Sequence, residues 1–418
     1  MALLFLCLIF GTGRTQKIEA AVQNVPESLE EESRLDTVGT DQETERAAVR
    51  EKKGQQEKEA GDTETDQAAA AQDELLAELD FDAIQQEVDS LLSSQQFSFA
   101  GTVRSLLQDG DPFRIFRAGN AVLSCAKTAF LAQKGLMKEL FLLVLAGAVL
   151  GSFSSLFEGK QVRDASFYIV YLLALALILK NFQSSGENLK AVITSLVAFM
   201  RILTPSYYLA AAAAGGASSA VMFYQMLLLV ILAVEKLLLA LVLPMIHIYL
   251  LIALVNDLSG EEILSHMTEL LETCVNGLLK SSLGVLVGMQ MIRNLIAPAL
   301  DSLRQMALWR TAGMIPGIGN AVNAVTELVA GSAVLIRNCF GVTAMLVLLA
   351  AGMVPAVQLL VSGLSFRLLA AAAQPVSDKR IAGCLAAAGK GYAMLLRLLL
   401  TVEVLFLLTI AILAGTFS

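Results

Sequence analysis

From residue 136 onward the chain is a succession of long, almost uncharged apolar runs, and these decide its solvent before anything else about its fold. They cover 140–157, 165–179, 191–214, 219–256, 281–300, 338–366 and 398–417. About 20 residues at about 1.5 Å per residue cross the roughly 30 Å of bilayer hydrocarbon, which matches most of these lengths. Backbone in hydrocarbon must satisfy its own hydrogen bonds, and a helix does so within one segment. The pattern therefore predicts an all-α fold: a polytopic transmembrane helix bundle of about seven crossings, with six to eight admissible. The run 191–214 is interrupted by Arg201 and Pro205. The run 219–256 is too long for one straight crossing and is divided by Glu235 and Lys236, which predicts two helices or one broken helix. Residues 311–336 begin with the breaker cluster Ile315, Pro316, Gly317, Ile318, Gly319 and are expected to lie flat or re-enter.

The N-terminal third has a different physical character. Residues 1–135 carry 13 Lys and Arg against 24 Asp and Glu, whereas the remainder carries 17 against 14. The net charge of -8 is thus an acidic segment attached to a mildly basic apolar body. Residues 3–10 form a short apolar run, too brief to span but suited to the core of a signal peptide, so residues 1–18 are assigned to a signal region. No Lys or Arg precedes the run; a non-cleaved start is the alternative. Residues 19–78 hold 18 acidic and 6 basic side chains and no aromatic, too little apolar surface to offset chain entropy. A disordered acidic tether is expected over 19–74. Leu75, Leu76, Leu79, Ile84, Val88 and Leu91 then recur at helical spacing among Asp80, Asp82, Glu87 and Asp89, which describes an amphipathic helix. A second amphipathic stretch covers 97–134 and is placed against the membrane surface or a partner helix. The region 75–135 is expected outside the cytoplasm, and 136–418 forms the multi-spanning domain.

Several function classes fall away on residue chemistry. Phosphate-backbone binding needs a concentrated basic face, and no segment supplies one, so nucleic acid is not a predicted partner. Cys7, Cys125, Cys274, Cys339 and Cys384 form no CxxC pair, and His247 and His266 lack metal-ligand spacing with them. The stretch from Gly383 to Gly391 places five residues between glycines and Gly after Lys390, whereas a phosphate loop requires four and then Ser or Thr. No catalytic triad signature or metal motif appears. No catalytic residue, cofactor, metal or small-molecule substrate is therefore predicted, and the chain is expected not to be an enzyme.

Ionisable residues inside apolar runs carry more information, because placing a charge in hydrocarbon costs at least about 2.5 kcal/mol. The candidate intramembrane polar residues are Glu235, Arg293 and Glu403. They form part of a polar conduit or inter-subunit pair, or else Glu235 and Lys236 make a turn, Arg293 snorkels and Glu403 sits near a helix end. Gly147 with Gly151, and Gly284 with Gly288, have the four-residue spacing that lets helices approach closely, and packing within the chain is the expected use.

The C-terminal half carries a family resemblance. Arg310-Thr311-Ala312, the cluster Ile315 to Gly319, then Leu335-Ile336-Arg337-Asn338 and Gly341 resemble the stage III sporulation protein AE family of endospore-forming bacteria. Gln374-Pro375-Val376-Ser377-Asp378-Lys379-Arg380-Ile381, followed by Cys384-Leu385, is similar too, as is Leu79-Asp80-Phe81. The resemblance implies a role in endospore formation, in the mother-cell membrane around the forespore. It implies a multi-protein assembly linking the two compartments after engulfment and sustaining late forespore gene expression. Other stage III sporulation proteins, including a secretion-type ATPase, are the implied partners beside the lipid bilayer. No family site residue is carried over. The expectation is thus a structural membrane component of a sporulation channel complex. The rival is a secondary transporter or permease whose broken helices near Glu235 and Pro316 line a substrate path.

Overall fold

In the computed structural model the described residues are 80–92, 97–109, 118–154, 160–213, 218–259, 264–312, 319–375 and 377–415. The predicted signal region at 1–18 and tether at 19–74 lie outside them. Two short helices, α1 (Phe81–Leu91) and α2 (Phe99–Asp109), precede the long ones. These are α3 (Ala118–Ser154), α4 (Lys160–Ala213), α5 (Ser218–Leu237), a π-helical segment (Leu238–Val242), α6 (Leu243–Ser259), α7 (Ser265–Ala312), α8 (Gly319–Ala373) and α9 (Lys379–Gly415). No strand occurs among the described residues.

Local chemistry sets the first two helices. Asp80 caps α1 by accepting from the Ala83 N–H at 3.1 Å, and Ser98 does the same for Gly101 at the start of α2, also at 3.1 Å. Gln85 ties the two together: its Nε2 donates to the Phe97 carbonyl at 2.7 Å and its Oε1 accepts from the Phe99 N–H at 2.8 Å. Of the apolar stripe read in the sequence, Ile84 and Val88 are fully buried and Leu91 is half-buried, while Leu75, Leu76 and Leu79 lie outside the described residues; Phe99 and Val103 of α2 are fully buried as well. Phe99 sets its ring edge-on to Phe340 of α8, centroids 5.0 Å apart, and Phe81 packs beside both. Tyr207 of α4 reaches Phe340 from the other side. The hairpin is therefore docked on α4 and α8 by an aromatic cluster.

Among the described residues, five helical stretches are long and apolar enough to cross a membrane: Phe167–Tyr207, Leu228–Ser259, Ser265–Ile292, Gly331–Ala373 and Lys379–Ile412. They present large apolar side chains outward, including Ile169, Leu229, Leu360 and Leu368, a surface suited to lipid and too extensive for water. The chain is an all-α membrane protein. The five spans among the described residues compare with the about seven crossings expected, the run 140–157 not being one of them, and the segmentation also departs from the sequence expectation as follows. The runs 165–179 and 191–214 lie on one continuous helix, α4, because residues 180–190 stay helical and turn Asn181 and Ser185 inward. Glu235 and Lys236 are helical rather than a turn. The interruption falls just after them, as the π segment, where Pro244 has no N–H to give the Ala240 carbonyl. Residues 319–336, expected to lie flat or re-enter, are continuous with the spanning part of α8. Most of the breaker cluster, 315–318, lies outside the described residues.

The most extensive pairing joins α8 and α9, with α9 also resting on α6 and α4. The turn between them is closed by Ser377 N–H to the Ala373 carbonyl at 2.8 Å and by Asp378, which caps α9 through the Arg380 N–H at 3.0 Å. The stretch from Gln374 to Leu385 that carries part of the family resemblance runs from this turn into the first turns of α9. Close approach then follows from small residues. A Cβ at Gly363 would lie 3.3 Å from the Tyr392 Cβ, and one at Gly389 would lie 3.3 Å from the Gly363 carbonyl oxygen. Gly147 packs within the chain as expected, against Val170. Around Gly284 and Gly288 no other described helix comes within 4 Å of a Cβ built on either.

The hairpin contact is testable. Phe99→Ala removes a fully buried ring and is expected to cost about 3–5 kcal/mol. Limited proteolysis in detergent or liposomes should then cut 81–109 faster while α8 and α9 stay protected; unchanged cutting would mean the hairpin is held by something else.

Candidate functional site

Polar side chains in the spanning region gather along α9 at three depths. Near its start, Arg380 donates through Nη1 to the Leu258 carbonyl at 3.4 Å and lies over the Phe167 ring at 5.4 Å. The Leu258 carbonyl is one of the last four of α6, which have no helical partner, so a cation belongs there. The Tyr171 hydroxyl donates to the Leu254 carbonyl, and the Asp257 carboxylate sits against Gly383, where a Cβ would lie 3.1 Å from it.

Three turns further along, Tyr392 is stacked on Phe366 with centroids 5.3 Å apart and meets the edge of Phe182 at 5.2 Å. Its hydroxyl accepts from Asn181 Nδ2 at 2.6 Å and lies 3.3 Å from Ser185 Oγ. His247 of α6 packs against Phe182, centroids 5.2 Å apart, and its ring fills the space left by Gly186. The imidazole Nδ1 is 2.9 Å from the Leu243 carbonyl.

Deeper along α9 lies Glu403. It is 8 % exposed, its Oε1 has no hydrogen-bond partner, and its carboxyl group occupies the place that any side chain at 352 would take. Only glycine at 352 lets the carboxyl sit against the α8 backbone. Three residues on, Pro355 lies inside α8 and has no N–H for the carbonyl of Ala351, the neighbour of Gly352. The notch therefore brings a carboxyl group beside backbone whose ladder is interrupted. Arg397, on the same helix, does not enter it: its Nη1 donates to Asn276 Oδ1 of α7 at 2.9 Å.

The three residues singled out in the sequence are on separate helices. Glu235 is buried on α5 and its electrostatic neighbour is Arg201 of α4. Arg293 belongs to α7, and its side chain lies outside the described residues. Glu403 is in the interior rather than near a helix end. No interaction among the described residues joins Glu235 to Glu403. Sequence reasoning missed the Asn181, Ser185 and Tyr392 group because residues 180–190 fall between two apolar runs taken as separate crossings. Among the described residues no three His, Cys, Asp or Glu side chains gather as metal ligands would.

If Glu403 and Gly352 share one space, their substitutions are coupled. Gly352→Ala should lower thermal stability in the wild type and be tolerated or mildly favourable in a Glu403→Ala background, because alanine prefers helix to glycine by about 1 kcal/mol. The coupling energy between the two should be about 0.5–3 kcal/mol in thermal unfolding of the detergent-solubilised chain. Additive effects would separate the two side chains.

The family model for Stage III sporulation protein AE matches residues 97–416. Stage III sporulation protein AE of Bacillus subtilis (strain 168) is 22% identical over 291 residues, covering 69% of this chain and 73% of that protein. No solved structure matches. With its helices α2 to α9 falling within that match, the chain belongs to the stage III sporulation protein AE family.

Proposed function

We propose that this protein is a structural membrane component of the sporulation channel complex that links mother cell and forespore and is needed for late forespore gene expression. The observation that carries the reading is the family match, which extends over α2 and every long helix. The physical character of the chain supports it. Apart from Glu403, the polar groups along α9 are tied to neighbouring helices and helix ends, which suits a rigid base in the membrane surrounding the forespore. On this reading the chain acts by assembly with other stage III sporulation proteins, including the secretion-type ATPase, and not by chemistry of its own.

A second reading, a permease with broken helices, is favoured by one observation: the buried Glu403 beside the α8 proline. Deleting the gene in its host separates the two. The channel reading expects normal vegetative growth, sporulation blocked after engulfment, loss of heat-resistant spores and loss of late forespore reporter expression. Normal sporulation with a nutrient or efflux defect would overturn it in favour of the permease.

A further inference from the structure

We propose that Glu403 holds an exchangeable proton, shared with the backbone carbonyl of Ala351 in the notch that Gly352 opens between α8 and α9. Acceptors outnumber donors in the notch. A carboxylate has only acceptor oxygens, and Oε1 of Glu403 is buried with no donor. The backbone beside it is also acceptor-rich, because Pro355 removes the N–H that would serve the Ala351 carbonyl. A carboxylate without a donor, beside a carbonyl that has lost its helical N–H, is costly in an apolar interior, where each lost hydrogen bond to a buried group is worth about 1–3 kcal/mol. One proton relieves both: the carboxylic acid donates and the carbonyl accepts.

Other ways of balancing the site are absent among the described residues. No charged side chain of α4, α5, α6, α7 or α8 acts on Glu403. On α9 itself, Arg397 lies six residues earlier, about 9 Å along the axis, and is engaged with Asn276 of α7. A hard metal cation takes about six or more oxygens, whereas the notch offers one carboxyl group and one released carbonyl, and no three His, Cys, Asp or Glu side chains gather among the described residues. The proton is the cation that so few oxygens can hold. Its binding is a simple addition of H⁺ from solution to the carboxylate, with no redox partner. The site is independent of the channel reading, since a structural helix pair and a permease could both contain it.

The test is infrared spectroscopy of the full chain in lipid bilayers at neutral pH, as the difference between wild type and Glu403→Gln. The proposal expects the wild type to contribute a carboxylic acid C=O band that shifts on H/D exchange and is lost in the variant. A carboxylate pair in its place would overturn it. If Glu403→Gln does not fold, wild-type protein with carbon-13 glutamate reports the same band. Pro355→Ala returns an N–H to the Ala351 carbonyl, so the acid band should move to higher wavenumber; an unmoved band would overturn the shared hydrogen bond. Replacing choline chloride with sodium chloride should leave the band intact. Conversion to carboxylate under sodium would assign the notch to a metal cation and overturn the proton.

Discussion

The close pairing of α8 and α9 is the contact on which the rest of the bundle depends. Helices in lipid gain little from apolar association, because the lipid tails are as apolar as the side chains, so packing at short range must hold them. Gly363 and Gly389 allow backbone to meet backbone, and the buried Ala370, Ala373, Ala387 and Ala388 keep the facing surfaces thin. The turn closed by Ser377 and Asp378 fixes the register, which in turn places Glu403 opposite Gly352 and Tyr392 opposite Phe366. The polar features along α9 are consequently positions read against a neighbour, whereas Glu235 of α5 faces Arg201 of α4 apart from them. Arg380 and Asp257 belong to the start of α9, Tyr392 with Asn181 to its middle and Glu403 to its far part.

The hairpin of α1 and α2 reaches this pair through one ring. Phe340 lies on α8, and Phe81, Phe99 and Tyr207 all pack on it. A short amphipathic hairpin has too little core to be stable alone, and here its buried face is completed by the membrane helices. That arrangement couples the segment outside the long helices to α8 directly, and α8 carries Gly352 and Pro355 as well.

Much of the architecture was legible in the sequence because its signals are lengths and periodicities. The apolar runs announced a membrane protein, and Ile84 with Val88 announced the inward face of α1. What was misread has a common physical cause. Polar stretches such as 180–190 separate apolar runs, but in a long helix their side chains find partners across the interface, as Asn181 and Ser185 do with Tyr392. The interruption expected at Glu235 and Lys236 falls just after them, as a π segment beside the proline at 244 within one continuous span. Glu403 was legible as an ionisable residue in an apolar run. Its partner was not, because a glycine some fifty residues earlier leaves no sign in the sequence that a carboxyl group occupies its space.

The helix pairing itself is tested most directly by a disulfide. A Cβ at Gly363 lies 3.9 Å from the Ala393 backbone nitrogen, so cysteines at these two positions are within reach of a bond. With a protease site inserted at the turn 374–378, oxidation in native membranes followed by cleavage should leave the two fragments joined until a reductant is added. Fragments that separate without reductant, although both cysteines are shielded from an aqueous thiol reagent, would contradict the register and with it the notch at Gly352.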